Sequence, residues 1–419
     1  MKKTILLTFS FYFVLSLTSC RKDAPELKNP NTINPQTYTE QFQAVWDGMS
    51  TSYVFWDVDT VDWDARYDEC IHLFENFDAR GTGGTVTDEE YQKAWDQVFS
   101  GLVDHHLTAF LWNPRNQKRA SVHPGKNSYS HVDAFKEQAA ILKSMPGVSE
   151  MVMNEDPAAG PIAYACLLPG KPTTGKKIAY FRFNGFEYDP ASNSAAGLAP
   201  LYAFFGSDSN GITDDAYANR SDVESVIVDV RGNGGGNVSN IVMYIATLIQ
   251  DSVNLGYVRT KENLGRLDHS PWMKFPIPSR AKHLKEAKPI VVLADINSVS
   301  CAEMTTLLIK SIPNGTFIGE RTHGGTGALL ANPKLHKVFY SGGFGDQDLF
   351  ELVFNETPMG EKSCFAYYVY TSTYEMVDVN YNSLEGKGVQ PDIEELFDPT
   401  ALAAGRDNQM ERALEFLRK

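Results

Sequence analysis

The sequence predicts an α/β (α+β) protein in which a mixed sheet with packed helices follows a small N-terminal helical domain. From residue 177 the chain contains four β-rich runs, "KIAYFRFNGF", "VESVIVDV", "PIVVLADI" and "GTFIGERT". Two of the runs lead into helical patterns, "NVSNIVMYIATLIQ" and "CAEMTTLLIKSI". Strand, crossover helix and strand in succession imply a partly parallel sheet, and ligands of such sheets collect at the carboxyl ends of the strands. We therefore assign residues 177–400 to an α/β domain.

The segments on either side of this domain have different patterns. In "YQKAWDQVFSGL" the apolar residues recur at helical spacing, and the preceding "TDEE" has the signature of a capping box. "FQAVWDGMSTSY" repeats the helical period, so residues 37–112 are predicted to form the helical domain. Residues 113–176 are mixed, with one helix predicted in "HVDAFKEQAAILKSM", and are treated as a linker-like subdomain. Residues 401–419 are predicted to be a C-terminal helix.

The first residues, "MKKTILLTFSFYFVLSLTSC", have the layout of a secretory signal peptide over 1–19. A positive start is followed by an apolar stretch and then by small residues. Cys20 after these small residues resembles a bacterial lipobox, which implies cleavage before Cys20 and a lipid on its sulfur; the alternative is an ordinary signal peptide with a chance cysteine. The polar segment 20–36 suits a tether. The expected location is a bacterial cell envelope, on the periplasmic or outer-membrane face.

Net charge, motifs and cysteine spacing argue against several functions and kinds of site. The net charge of -14 argues against nucleic acid as a partner, because phosphate binding needs a basic face. No H-E-x-x-H segment occurs, which argues against a zinc peptidase. The cysteines after Cys20 are too widely spaced for a zinc site or a dense disulfide framework, so their pairing stays open. They are Cys70, Cys166, Cys301 and Cys364.

The glycine-rich segment "VIVDVRGNGGGN" follows a predicted strand and places three glycines, 234–236, before a helix. A dinucleotide fingerprint fails here because Asn237 occupies the third glycine position. Another nucleotide-like segment, "GKPTTGKK", has the spacing of a phosphate-binding loop but carries Lys177 where Ser or Thr is needed to bind magnesium. Two alternatives remain for the glycines: N–H groups that form an oxyanion hole, or a tight turn.

The segment "DINSVSCAEM" places Ser300 where a predicted strand turns into a helix. Ser300 and Glu303 match a capping box, so the serine could be a helix cap and nothing more. The same turn would place its Oγ at the carboxyl end of a strand, with the N–H of Cys301 pointing at a bound carbonyl oxygen. His106 is a candidate base, although single histidines are often ordinary residues. Glu385 lies in a Gly/Pro loop, where a solvated carboxylate is the default.

Five segments occur in the order found in tail-specific (C-terminal processing) serine proteases: "GLVDHHL", "VDVRGNGGGN", "NSVSCAEM", "GERTHGG" and "LEGKGVQPDI". The chain most resembles the branch that contains the tricorn protease core and the interphotoreceptor retinoid-binding protein repeats, over residues 37–112 and 177–396. The resemblance implies a ClpP/crotonase-like sheet and a serine-type peptidase acting on peptides or proteins without a cofactor. Carried over by position, it implies three catalytic residues and two donors to an oxyanion: Ser300 as nucleophile, His106 as base, Glu385 as its carboxylate partner, and the N–H groups of Cys301 and of Gly235 or Gly236.

The sequence departs from the family pattern at two positions. The Ser–Lys members have a lysine in the "GERTHGG" segment where this chain has Gly325, so the resemblance favours His106 as the base. The tricorn-like tetrad has a serine where this chain has His105, and His323 is a reserve candidate for the base. Alternative functions on the same scaffold are a ligand-binding protein and a pseudoprotease that binds peptide ends without acylation. Because the proposed base and nucleophile fall in different domains, the site is expected in a cleft between them.

Overall fold

The computed structural model describes residues 33–81, 84–125, 134–327, 343–346, 349 and 363–419. The predicted signal peptide, most of the tether and Cys20 lie outside them. The described residues of the N-terminal part contain three helices, each started by a side chain that accepts from a first-turn N–H: α1 (Tyr38–Ser52), α2 (Trp63–Ala79) and α3 (Asp88–Phe99). Their aromatic faces pack into one core, in which the rings of Phe42 and Phe74 stack 4.8 Å apart. No helix of the described residues combines the length and the apolar character that a membrane span requires.

A seven-stranded mixed sheet forms the centre of the molecule and confirms the predicted fold class. Its order is β14-β10-β9-β6-β5-β4-β3. The four strands predicted from the sequence lie side by side in this sheet and pair with one another in parallel. They are β5 (Lys177–Phe183), β6 (Val223–Asp229), β9 (Ile290–Ala294) and β10 (Gly315–Gly319), and β14 (Ile393–Glu394) joins β10 in parallel.

The sheet extends further towards the N-terminus than the assignment of 177–400 to the α/β domain. β3 (Ser149–Asn154) and β4 (Ala163–Pro169) add to it by antiparallel pairing, so this part of the predicted linker subdomain belongs to the central sheet. β4 is buried along nearly its whole length because helices cover both faces of the sheet at this position. The strand lacks polar–apolar alternation, which is why periodicity did not reveal it.

Helices cover both faces of the central sheet. One face packs against α5 (Ala195–Phe205), the short α6 (Ser239–Met243) and α7 (Cys301–Lys310). The other face packs against α4 (Phe135–Ser144) and α9 (Asn408–Arg418), and a short helix, α8 (Pro399–Ala403), precedes α9. The predicted C-terminal helix is therefore two helices with a break between them.

Two smaller sheets connect distant parts of the chain. In the first, of order β11-β12-β1-β2, the strand β1 (Thr108–Asn113) pairs with β12 (Tyr367–Tyr370). The other strands of this sheet are β2 (Lys118–Val122) and β11 (Phe344–Gly345). The second, of order β13-β7-β8, contains β7 (Val253–Thr260), β8 (Met273–Ile277) and β13 (Tyr374–Val377). The segment predicted as helical therefore ends in a strand, and the β1–β12 pair brings residues 104–107 next to the C-terminal part of the chain.

Candidate active site

Ser300 lies at the end of the turn that joins β9 to α7 and is the residue immediately before the helix. Its φ of +56° and ψ of -116° differ from the extended conformation of an ordinary N-cap residue. A non-glycine residue in this region carries strain of about 1–3 kcal/mol, which persists only where the surroundings fix it. The side chain is partly exposed, whereas both neighbours are buried. Ser300 is therefore held in a strained turn and remains accessible, which a simple helix cap does not need.

The carboxylate of Glu303 holds this turn against the loop of residues 322–327. It accepts hydrogen bonds from the N–H of Ser300 (3.1 Å), Gly324 (2.8 Å) and Gly325 (2.7 Å), and from the hydroxyl of Thr322 (2.6 Å). The side chain is fully buried, and burial raises its pKa. The sequence suggested Glu303 only as the partner in a capping box. The structure shows a carboxylate that joins the Ser300 turn to a second loop.

The glycine-rich turn after β6 lies directly against Ser300. A Cβ added to Gly235 would lie 2.7 Å from the Cβ of Ser300 and 3.1 Å from the backbone nitrogen of Cys301. With a φ of +92°, Gly235 is also a position that favours glycine. The backbone of the two turns is joined by the Val299 N–H, which donates to the Asn233 carbonyl at 3.0 Å. Gly235 is therefore required both for the close approach of the two turns and for its left-handed backbone.

The N–H groups of the glycine run have different roles. The N–H of Gly235 donates to the side-chain oxygen of Asn233 at 2.8 Å, and the N–H of Gly234 faces the Asn184 carbonyl at 3.4 Å. Gly236 is exposed, and its N–H donates no hydrogen bond within the described residues. Gly236 and Cys301 therefore each offer a backbone N–H near the Ser300 turn that donates no hydrogen bond within the described residues.

The thiol of Cys301 is unsuited to act as the nucleophile. It is buried, it donates to the Gly236 carbonyl at 2.9 Å, and burial raises its pKa to about 12. A thiolate at this position is therefore strongly disfavoured near neutral pH. The cysteines whose pairing the sequence left open, Cys70, Cys166, Cys301 and Cys364, are free thiols in the structure.

A second group of residues forms around the turn before β1. Asp104 is fully buried, and its carboxylate accepts from the His106 N–H at 2.8 Å. The same carboxylate accepts from the N–H and the hydroxyl of Ser372, both at 2.8 Å. Burial raises the pKa of Asp104. Asp104 thereby attaches the histidine-bearing turn to the segment that follows β12.

Glu385 reaches the same turn from the C-terminal part of the chain. Its side chain is 1% exposed, so the solvated carboxylate that the loop sequence suggested is not observed. One oxygen accepts from the His105 N–H at 3.0 Å, and the other accepts from the Gly327 N–H at 2.8 Å. Burial, followed by the nearby charge of Asp104, raises the pKa of Glu385 well above its ordinary value. Glu385 therefore contacts the backbone of the residue just before His106.

The loop of residues 322–327 connects the two groups. Glu303 binds its first half at Gly324 and Gly325, and Glu385 binds its second half at Gly327. A Cβ added to Gly325 would lie 2.8 Å from the Cβ of His105 and 3.0 Å from Val299. The space beside Gly325, where the Ser–Lys family members carry a lysine, is therefore occupied by His105 in this chain.

A half-buried carboxyl next to the histidine turn, that of Asp59, provides a pH-dependent prediction. The hydroxyl of Tyr53 and the Val103 N–H both donate to Asp59, and burial raises the pKa of this carboxyl to about 6. Because the pKa is raised in the folded state, the stabilisation it gives is present below about pH 4 and is lost as pH rises through about 6. We expect urea unfolding at about pH 4.5 and about pH 7.5 to show that D59N removes about 2 kcal/mol of the pH dependence. An unchanged pH dependence in D59N would contradict this assignment.

Among the described residues, one group has the composition of a metal site: Asp57, His269 and Glu375, with ligand atoms within 4.8 Å of one another. The guanidinium of Arg259 lies between the two carboxylates and forms ion pairs with both. Burial raises the pKa of Glu375 to about 7. This group is an ion-pair cluster between the helical region and the β7–β8–β13 sheet.

Comparison with known proteins identifies the family to which the chain belongs. Residues 177–395, just over half of the chain, match the model of peptidase family S41. The nisin-resistance protein of Lactococcus lactis subsp. lactis is 34% identical over 115 residues, which span 26% of this chain and 36% of that protein. A tricorn protease homolog of Streptomyces coelicolor is 26% identical over 197 residues, which span 46% of this chain and 13% of that protein.

The fold extends beyond this matched region. A crystal structure from Parabacteroides merdae, assigned as a peptidase, superposes with a TM-score of 0.62 at 20% identity and covers 91% of this chain and 97% of that chain. This similarity concerns the fold and extends over most of the chain. The chain belongs to peptidase family S41, the family of the tail-specific processing proteases.

Proposed function

We propose that the protein is a lipid-anchored endopeptidase of the bacterial envelope that cleaves peptide bonds through Ser300, His106 and Glu385. The observation that carries the proposal is the conformation of Ser300. The residue is strained and accessible at the carboxyl end of β9, beside the exposed Gly236 and the first N–H of α7. Strained residues of this kind are concentrated at functional sites. A serine presented on a sharp strand-to-helix turn is a recurring device for exposing a nucleophile.

In the proposed reaction, His106 removes the proton of Ser300 as Oγ attacks a peptide carbonyl carbon. The tetrahedral oxyanion is stabilised by the N–H groups of Cys301 and Gly236, while Gly235 provides the close approach. His106 then protonates the leaving amine, and the acyl-enzyme forms as the C–N bond breaks. Water activated by His106 attacks the acyl carbon and releases the second product together with Ser300.

The buried carboxylates support the charge that develops on the base. When His106 becomes an imidazolium, its positive charge favours the ionised form of Glu385, against the burial that raises the pKa of this carboxyl. Glu385 acts on the base through the turn of residues 104–106, because one carboxylate oxygen of Glu385 accepts from the His105 N–H. Glu385 thus acts on the orientation and charge of the histidine turn.

The anchor is proposed from the N-terminal sequence, in which Cys20 follows a signal-peptide pattern. Intact-mass measurement of protein extracted from membranes tests it. A chain that begins at Cys20 and carries a lipid mass supports the anchor. A chain without lipid, whatever its first residue, argues for ordinary secretion.

Peptide-bond hydrolysis is tested directly with the mature chain and an unfolded protein substrate in H₂¹⁸O. Mass spectrometry of the products is expected to show new C-termini that carry ¹⁸O with the wild type. Binding of the substrate without any cleavage would instead support the pseudoprotease alternative.

The carboxylate partner is tested by the variant E385Q. The amide keeps an acceptor for the His105 N–H but directs an NH₂ group at the Gly327 N–H and removes the negative charge. We expect the hydrolysis rate to fall by about 100-fold or more, since replacing the carboxylate of a serine–histidine system by an amide can cost up to ~10⁴-fold. The matched control is E375Q, a buried carboxylate outside the site, for which the rate should stay near that of the wild type. Equal rates in both variants would remove Glu385 from the mechanism.

A further inference from the structure

Two histidines outside the proposed catalytic set form a direct contact between the two halves of the site. His105 Nδ1 and His323 Nε2 lie 2.7 Å apart, and the rings meet edge to face with centroids 4.1 Å apart. The residues are separated by 218 positions in the sequence. A nitrogen–nitrogen distance of 2.7 Å requires a hydrogen between the two rings, because two lone pairs would repel one another.

His323 is attached to the turn that carries the nucleophile. The backbone N–H of His323 donates to the Ser298 carbonyl at 3.1 Å, and its ring Nδ1 faces the Ile296 carbonyl at 3.3 Å. Both contacts fall on the turn between β9 and α7, within four residues of Ser300. The ring is 8% exposed, so its position is fixed by packing as well as by these hydrogen bonds.

His105 is attached to the turn that carries the proposed base. It is the residue before His106, and its N–H donates to Glu385 at 3.0 Å. The stem of the side chain fills the space beside Gly325 and Val299, as the short distances from a Cβ added to Gly325 show. The contact between His105 and His323 therefore joins the residue adjacent to the base to the turn that ends at the nucleophile.

We propose that His105 and His323 are positioning residues, and that their shared hydrogen bond sets the distance and orientation of His106 relative to Ser300 across the domain boundary. This inference rests on the proposed function, in which His106 and Ser300 exchange a proton. Such positioning is effective because a displacement of about 1 Å between reacting groups can reduce a rate about 100-fold. The pair also gives a physical role to His105 where the tricorn-like tetrad carries a serine.

The charges around the pair keep one hydrogen between the rings. Burial, with a smaller contribution from Arg321, lowers the pKa of His323, which keeps this ring neutral near pH 7. The titratable neighbours on the side of His105 are His106, Glu385 and Asp104. On the side of His323, the carboxylate of Glu303 binds the loop that carries this histidine. When neutral His323 donates from Nδ1 to the Ile296 carbonyl, its Nε2 accepts and His105 Nδ1 supplies the hydrogen between the rings, and this bond persists when His105 alone is protonated.

The test uses the mature chain and a fluorophosphonate probe, which phosphonylates an activated serine with loss of fluoride, and the maximal labelling rate, the probe affinity and Tm are measured for each variant. H105A and H323F remove the hydrogen bond. H105N and H323Q can restore it, since an amide can donate or accept at the same position. We expect H105A and H323F to lower the maximal labelling rate of Ser300 about 10- to 100-fold with unchanged probe affinity. We expect H105N and H323Q to recover most of that rate.

The outcomes separate this inference from the proposed function. Absence of labelling in a folded wild type contradicts the proposed function itself. Labelling of the wild type, together with wild-type rates in H105A and H323F, overturns the positioning role alone. If H105N is as slow as H105A while H106A labels normally, His105 is the base and the positioning role is wrong. If the conservative variants match the disruptive ones in both rate and a lowered Tm, the pair is structural only.

Discussion

Replacing Ser300 by alanine is expected to abolish peptide-bond hydrolysis, with a fall in kcat on the order of 10⁴- to 10⁶-fold. The variant removes the oxygen that forms the acyl-enzyme and leaves the surrounding hydrogen bonds in place, because Glu303 binds the backbone N–H of residue 300. Alanine is as strained as serine at a φ of +56°, so Tm should stay close to that of the wild type. Product formation followed by mass spectrometry, together with a thermal melt, measures both quantities.

Two further variants make this prediction specific. S311A changes a serine at the other end of the same helix, where the hydroxyl bonds to the Leu307 carbonyl, and should keep full activity. S300G should be inactive like S300A but more stable than it by about 1 kcal/mol, because glycine adopts the strained conformation without the steric cost. Equal stability of S300A and S300G would mean that Ser300 stores no strain. A fall in kcat of less than about 100-fold in S300A would exclude Ser300 as the nucleophile.

The largest expected effect on stability follows removal of the buried guanidinium of Arg231. This side chain is fully buried and forms ion pairs with Asp229 (2.6 Å) and Asp407 (2.8 Å), and it also donates to Gln409. Although burial raises the pKa of Asp229, Arg182 and Arg231 lower it to about 2. The R231M variant removes the positive charge with which the buried carboxylates of Asp229 and Asp407 form ion pairs. We expect a loss of about 3–5 kcal/mol in the free energy of unfolding, measured by urea denaturation.

The matched control for R231M is R220M. Arg220 also bonds two carboxylates, those of Glu150 and Asp222, but its side chain is 27% exposed. Exposed pairs of this kind contribute about 0–1 kcal/mol, so R220M should change stability by less than about 1 kcal/mol. A loss in R231M no larger than in R220M would show that the buried network is not what attaches α9 to the strand that precedes the glycine turn.

The central sheet could be predicted from the sequence because its parallel strands are apolar runs bounded by turns. β5, β6, β9 and β10 were each identified in this way, and the capping box at Thr87 correctly marked the start of α3. The strand β1 was missed because it follows helices directly and is buried along its whole length. Its partner β12 lies more than 250 residues away in the sequence, and local periodicity carries no information about such pairing.

The candidate site shows the same division between local and distant signals. The turn chemistry of Ser300 and Glu303 was readable because the two residues are three positions apart. The further bonds of Glu303 to Gly324 and Gly325, and the contact between His105 and His323, depend on how distant segments meet. Polar side chains with such partners resemble ordinary surface residues in a sequence. Only burial of the carboxylate of Glu385 and of the ring of His323 distinguishes them.

The most direct test of the central claim is fluorophosphonate labelling of the folded mature chain, with the modified residue identified by tandem mass spectrometry and H106A measured in parallel. We predict a single modification on Ser300 in the wild type and a labelling rate at least about 100-fold lower in H106A. Labelling of another residue, or equal labelling of Ser300 in both proteins, would contradict an activated Ser300 that depends on His106.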